Sequence, residues 1–174
     1  MKTFLLSLLM ILSTQVSWIE ALDLKIYEID QNATSKKKKV LNDEKDTFFY
    51  VRYQLNHIEK LHLHYSSSFV DSMNVFFYRE NDFIFGRFEF YVAEYFHKGA
   101  PYPNRPVGEI TEVKSYFQTD TNGIQLKRTI DYLENSDKDS LIRLLNKQVY
   151  DTTFLDATDY QKIKRHYKHT RKHC

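Results

Sequence analysis

Over residues 49 to 133 the apolar residues of this chain recur with a period of two, and after residue 136 the period becomes that of a helix. Phe49, Val51, Tyr53 and Leu55 alternate with Tyr50, Arg52 and Gln54, while Leu61, Leu63 and Tyr65 alternate with Lys60, His62 and His64. Such alternation marks strands with distinct faces, and the two runs predict a hairpin around Asn56 to Glu59. Val75 to Arg79 and Phe83 to Phe96 form a second pair around the turn formers Asn81 and Asp82. In its second member Ile84, Phe88, Phe90, Val92 and Phe96 share one side, and Phe83, Phe85, Tyr91 and Tyr95 share the other. A strand apolar on both faces is expected to be central, or kinked at Gly86. Val113 to Gln118 and Ile124 to Leu133 flank Thr119-Asp120-Thr121-Asn122-Gly123, where Asn-Gly predicts a third hairpin because both residues tolerate positive φ. Pro101, Pro103 and Pro106, between Gly99 and Gly108, predict an irregular surface connection.

Beyond residue 136 the spacing changes. Ser136 or Asp137 can cap a helix carrying Leu141, Leu144, Leu145 and Val149 on one face. Asp156 or Thr158 can cap a second, with Tyr160, Ile163 and Tyr167 as its apolar stripe and Lys162, Lys164, Arg165 and Lys168 around the remainder. The expected fold class is α+β: an antiparallel sheet or partly closed barrel of about six or seven strands, followed by two C-terminal helices. Strands followed by a helix are also similar in layout to the lipocalins, although the G-x-W motif of that family is absent here.

The N-terminal 21 residues read differently. Lys2 precedes the apolar run Phe4 to Leu12, and a more polar stretch ends at Ala21, the pattern of a cleaved secretory signal. The apolar run is too short to span a bilayer, so export without stable membrane insertion is expected. Residues 22–161 then form one globular domain and residues 162–174 a basic, His-rich segment. Leu22, Leu24 and Ile26 alternate with Asp23 and Lys25, predicting a first strand, and the polar run Gln31 to Asp46 predicts a long exposed loop. The sequon Asn32-Ala33-Thr34 in that loop makes Asn32 a candidate glycosylation site.

Exported proteins of this size commonly carry disulfides, yet Cys174 is the only cysteine. An unpaired thiol predicts an intermolecular bridge, such as a disulfide-linked dimer. The interior must be held by aromatics instead, and the chain has 13 Tyr and 13 Phe. Domains of about 150 residues bury enough surface to be stable without covalent staples.

Charge is unevenly placed. Residues 22–161 carry 18 Lys and Arg against 22 Asp and Glu, whereas residues 162–174 carry six cations and no acid. Lys162, Lys164, Arg165, Lys168, Arg171 and Lys172, with Lys36, Lys37, Lys38 and Lys39 in the N-terminal loop, are candidate anion-binding residues. Clustered cations gain free energy by displacing counterions from a polyanion such as a glycosaminoglycan. On a helix His166, His169 and His173 share one face, and with Cys174 they offer ligands of the zinc or copper type. The surrounding cations oppose a divalent ion, so no metal and no cofactor is assigned. His62 and His64 share a strand face without a third ligand.

Signatures of catalysis are scarce. Four glycines cannot build a dinucleotide fingerprint or a P-loop, and neither G-x-S-x-G nor H-E-x-x-H occurs. Glu89 and Glu94 would face opposite sides of a strand, and Glu94, on the apolar side, would need an ion-pair partner. The expected function is that of a secreted, non-enzymatic binding or effector protein that contacts an anionic partner through its basic C-terminus. The alternative is a carrier of an apolar small molecule in an aromatic-lined cavity, and the third reading is a secreted enzyme of unrecognised type.

Overall fold

The computed structural model describes residues 18–42, 47–66, 70–94, 107–133 and 136–173. Pro101, Pro103, Pro106 and Cys174 lie outside the described residues, as does the leader before residue 18. The chain forms a helix over residues 18–32 (α1), seven successive strands, a short helix, an eighth strand and a long final helix. The strands are β1 Thr34–Asn42, β2 Thr47–Leu55, β3 Ile58–Ser66, β4 Val70–Glu80, β5 Phe83–Glu94, β6 Gly108–Thr119, β7 Asn122–Tyr132 and β8 Asp151–Leu155. Helix α2 spans Lys138–Leu145 and α3 spans Ala157–His173. All eight strands pair antiparallel in sequence order, so the sheet is an open meander with β1 and β8 at its edges.

The α+β expectation and the three hairpins are as the periodicity predicts, with four corrections. The first concerns residues 22–26, which are helical and not extended. Leu24 is 71% exposed and Ile26 only 6%, because Trp18, Leu22, Ile26 and Ile29 lie on one helical face. The alternation at Leu22 to Ile26 is also compatible with a helix, and the longer stripe from Trp18 to Ile29 decides between the two. The expected cleavage point after Ala21 therefore falls within α1.

Second, Lys36–Lys39 belong to edge strand β1 and not to a loop. Lys37 stands opposite Arg52 and Lys39 opposite Tyr50, with an irregularity between Ser35 and Lys37. Lysines on an edge strand discourage further strand addition, which reconciles a charged run with extended backbone. Third, Asn122-Gly123 is not the tip of the β6–β7 turn, which is Asp120-Thr121. Gly123 lies inside β7, where a Cβ would stand 2.6 Å from the Tyr116 carbonyl oxygen and 2.7 Å from Phe117 Cδ1, so close strand approach demands glycine there. Fourth, β8 separates the two C-terminal helices, and Val149 lies beyond α2, 89% exposed.

Adjacent strand residues divide between two cores. Phe77, Leu61, Leu63, Val75, Ile84 and Phe117 meet Tyr160, Ile163 and Tyr167 of α3. Tyr78, Ile58, Phe85 and Tyr116 meet Ile26 and Ile29 of α1 on the other face. Farther along the α1 side, Leu141 and Leu145 of α2 pack on Ile110, Phe90, Val92 and Ile130. The sheet is thus sandwiched between helices and does not close into a barrel.

Helix α1 is also pinned by polar contacts. Lys25 Nζ donates to Glu80 at 2.5 Å, Tyr116 donates to Asp23 at 2.6 Å, and Lys60 Nζ donates to Asp30 at 2.6 Å. A bulge in β4–β5 decides which side chains reach α3. Tyr78 pairs with Gly86 and Arg79 with Ile84, leaving Phe85 as the extra residue. The bulge reverses the parity of β5, so Ile84 faces α3 while Phe88 faces α1, and Arg87 and Glu89 turn toward the α3 side. The buried Ile84 N–H donates to Tyr160 Oη, 3.2 Å away.

Candidate anion-binding cleft

The basic segment 162–174 is no free tail through His173, because α3 runs unbroken to that residue and buries Ile163, Tyr167 and Thr170. Asp156 caps it, its Oδ1 accepting from the amides of Thr158 at 2.7 Å and Asp159 at 3.1 Å. The buried stripe fixes the rotation of the helix, and with it the directions of the cations. Lys164, Lys168, Arg171 and Lys172 border a cleft of about 640 Å³ between α3 and the sheet. Arg52 of β2, Arg79 of β4, Ile84 and Tyr167 complete it, with Asp82 at the β4–β5 turn. Lys162 and Arg165 lie on the exposed outer side, Lys162 donating to Asp159 at 3.0 Å and Arg165 Nε to the Gln161 carbonyl at 3.4 Å.

Beneath the cleft is a charge cluster built from four elements. Glu59 of β3, 3% exposed, accepts from Tyr167 Oη and forms an ion pair with Arg52 Nε. Arg171 Nε is 3.5 Å and Arg79 Nε 3.7 Å from its Oε1. Burial, followed by the Glu59 contact, pushes the Tyr167 hydroxyl well above its ordinary range, so it stays a donor. The Arg79 guanidinium also lies over the Tyr167 ring at 5.4 Å, and its Nη1 reaches the carboxylate of Asp82 at 3.4 Å. Six cations thus meet two carboxylates, leaving the cleft strongly electropositive.

Arg52, Arg79 and Glu59 were not among the residues expected from sequence, although a signal for Glu59 existed. It shares strand parity with Leu61 and Leu63, and an acid in a core stripe requires cationic partners. Of the N-terminal lysines, Lys37 is opposite Arg52 in the ladder, which places that part of the run beside the cleft in register.

The histidines of α3 sit in different surroundings. His166 turns inward, its ring edge-on to Phe77 at 5.1 Å and its Nδ1 3.3 Å from Arg87 Nη2. His169 is exposed, and the His173 side chain lies outside the described residues. Among the described residues no group of three His, Cys, Asp or Glu is placed to hold a metal ion. His62 Nε2 and His64 Nδ1 both approach Asn74 Oδ1, at 3.1 and 3.0 Å, so the two rings share that amide oxygen. Asn32 is exposed at the end of α1, where its Nδ2 donates to the Glu28 carbonyl at 3.1 Å.

Glu94 is exposed, so the buried carboxylate of β5 is instead Glu89, paired with Arg87. Burial pushes Glu89 up against the opposing effect of Arg87. Burial, with Arg87 and His169 nearby, lowers the His166 pKa to about 4. The unfolded chain then takes up a proton near pH 6.5 that the folded chain refuses until about pH 4, so this histidine costs stability as pH falls through that window. Protonation of Glu89 acts in the opposite sense. The difference in unfolding free energy between wild type and His166→Gln, measured by urea denaturation at pH 7 and pH 4.5, isolates the histidine. The variant is expected to gain on wild type at the lower pH by roughly 1–2 kcal/mol, discounted for the partial exposure of the ring. An unchanged difference would exclude the linkage.

No protein-family model matches the chain, and no curated protein or solved structure matches it either. Among the described residues no helix is long and apolar enough to cross a membrane.

Proposed function

We propose that this is an exported, non-enzymatic binding protein whose α3 face contacts a linear polyanion, a sulfated glycosaminoglycan being the extracellular polymer of that chemistry. One observation carries the reading: Arg52 and Arg79 from the sheet and four cations from α3 converge on a single cleft that, among the described residues, is lined by one carboxylate, Asp82. Convergence of cations from separate elements concentrates positive potential over a surface that a polymer can follow. Lys162 and Arg165 extend this charge around the outside of the helix. The two carboxylates at the cleft both engage arginine, so neither resembles a poised general base.

Deleting residues 162–174 would be a poor test, because it removes the core residues Ile163 and Tyr167. Neutralising Lys164, Lys168 and Lys172 to glutamine leaves the apolar stripe intact. The triple variant is expected to elute from immobilised heparin at lower salt. Its log-affinity against log-salt slope should fall by roughly 0.7–0.9 for each contacting charge removed. Elution and slope identical to wild type would overturn the proposal.

A further inference from the structure

The cleft that such a polymer would follow also offers its sheet arginines as a seat for one discrete anionic group. Resting on the polyanion reading above, we infer that the cleft holds one tetrahedral oxyanion ester, a sulfate or phosphate monoester on a small polar ligand, which displaces Asp82 from Arg79. The volume of about 640 Å³ matches sites for small ligands, which run from about 300 to 1,000 Å³.

The chemistry of the floor points the same way. Three guanidiniums, from Arg52, Arg79 and Arg171, gather at the single charge of Glu59, and Asp82 offsets only one of the two positive charges that remain. Guanidinium forks match the oxygens of sulfate and phosphate and can bind them through paired hydrogen bonds. Arg79 is held in place from below by Glu59 and across the Tyr167 ring, so little side-chain freedom is lost when a ligand docks. Lys164 and Lys168 supply further charge from the helical wall.

Asp82 explains how the site can be occupied by protein and still be available. Its side chain is fully exposed, and it meets Arg79 Nη1 at 3.4 Å from only three residues away. An exposed pair of this kind is weak, and the carboxylate recovers its hydration when it swings out. An ester group with three terminal oxygens, a sulfate monoanion or a phosphate dianion, outcompetes it because several cations act on the guest together. Asp82 is therefore a placeholder for the ligand's anionic group.

The test is calorimetric titration of the whole chain at low salt, with a fully sulfated heparin disaccharide in one arm and inorganic pyrophosphate in the other. Saturable one-to-one binding is expected in at least one arm, and the stronger arm identifies the source of the oxyanion. Asp82→Asn should tighten binding by roughly two- to fivefold, since it removes the internal competitor. Arg79→Gln should weaken it by about tenfold or more, and Lys168→Gln, on the exposed wall, should weaken it without affecting folding. Absence of saturable binding in both arms, or unchanged or weaker binding by Asp82→Asn, overturns the inference. If heparin retention persists in that case the cleft cations serve a polymer and not a discrete guest, and if retention is also absent both readings fall.

Discussion

Replacing Glu59 with glutamine is expected to destabilise the fold by about 3 kcal/mol, because three arginines lose the negative charge they gather around, while Tyr167 keeps an acceptor in the amide oxygen. Removing one partner of a buried ion pair costs about 3–5 kcal/mol when the remaining charge stays buried. Here Arg52 and Arg171 have side chains 30% and 41% exposed, so water can take over part of their solvation and the lower end applies. In a domain of this length the effect should lower Tm by roughly 6–12 °C. Tyr167→Phe removes one donor and keeps both the ring and the carboxylate, so it should cost only about 1 kcal/mol. Thermal and urea unfolding followed by circular dichroism distinguishes the two. A Glu59→Gln variant as stable as Tyr167→Phe would show that the carboxylate is not what holds the cluster.

Tyr160 is the second position where a large loss is expected. Its ring stacks on Phe83 at 5.6 Å and meets Phe117 edge-on at 5.1 Å, while its hydroxyl accepts from the Ile84 amide at the β-bulge. Tyr160→Ala removes the ring from a buried cluster, and truncation of a buried aromatic costs about 3–5 kcal/mol. Tyr160→Phe keeps the ring and leaves the Ile84 N–H without its partner, which costs about 1–3 kcal/mol. Urea denaturation of both variants separates the packing contribution from the hydrogen bond. Equal losses would mean that the ring contributes nothing beyond its hydroxyl, contrary to its burial.

How much of the molecule could be read beforehand depended on the range of the interactions involved. The hairpins at Asn56 and Asn81 were legible because asparagine can adopt the left-handed conformation, and these two residues have φ of 52° and 51°. The Tyr160, Ile163 and Tyr167 stripe was legible because helical periodicity persists over several turns. At residues 22–26 the same logic failed, since five alternating residues are too few to outweigh a helical face running from Trp18 to Ile29. The extra residue Phe85 defeated the assignment of faces along β5: Gly86 marks a kink beside it, but a glycine alone does not say that parity reverses.

The candidate site divides along the same line. Lys164, Lys168, Arg171 and Lys172 were visible as a basic run, but their common direction follows from burial of Ile163 and Tyr167. His166 looked equivalent to His169 in the linear chain, yet one packs on Phe77 and the other is exposed.

Periodicity and composition are local properties, and they suffice for an antiparallel sheet with helices, an aromatic interior and a concentration of positive charge near the C-terminus. That Arg52 and Arg79 join that charge around Glu59 follows from packing across the sheet. These residues lie on β2, β4 and β3, and they meet through strand register and the docking of α3. Register is a cooperative outcome of the whole sheet, so no short window of sequence contains it.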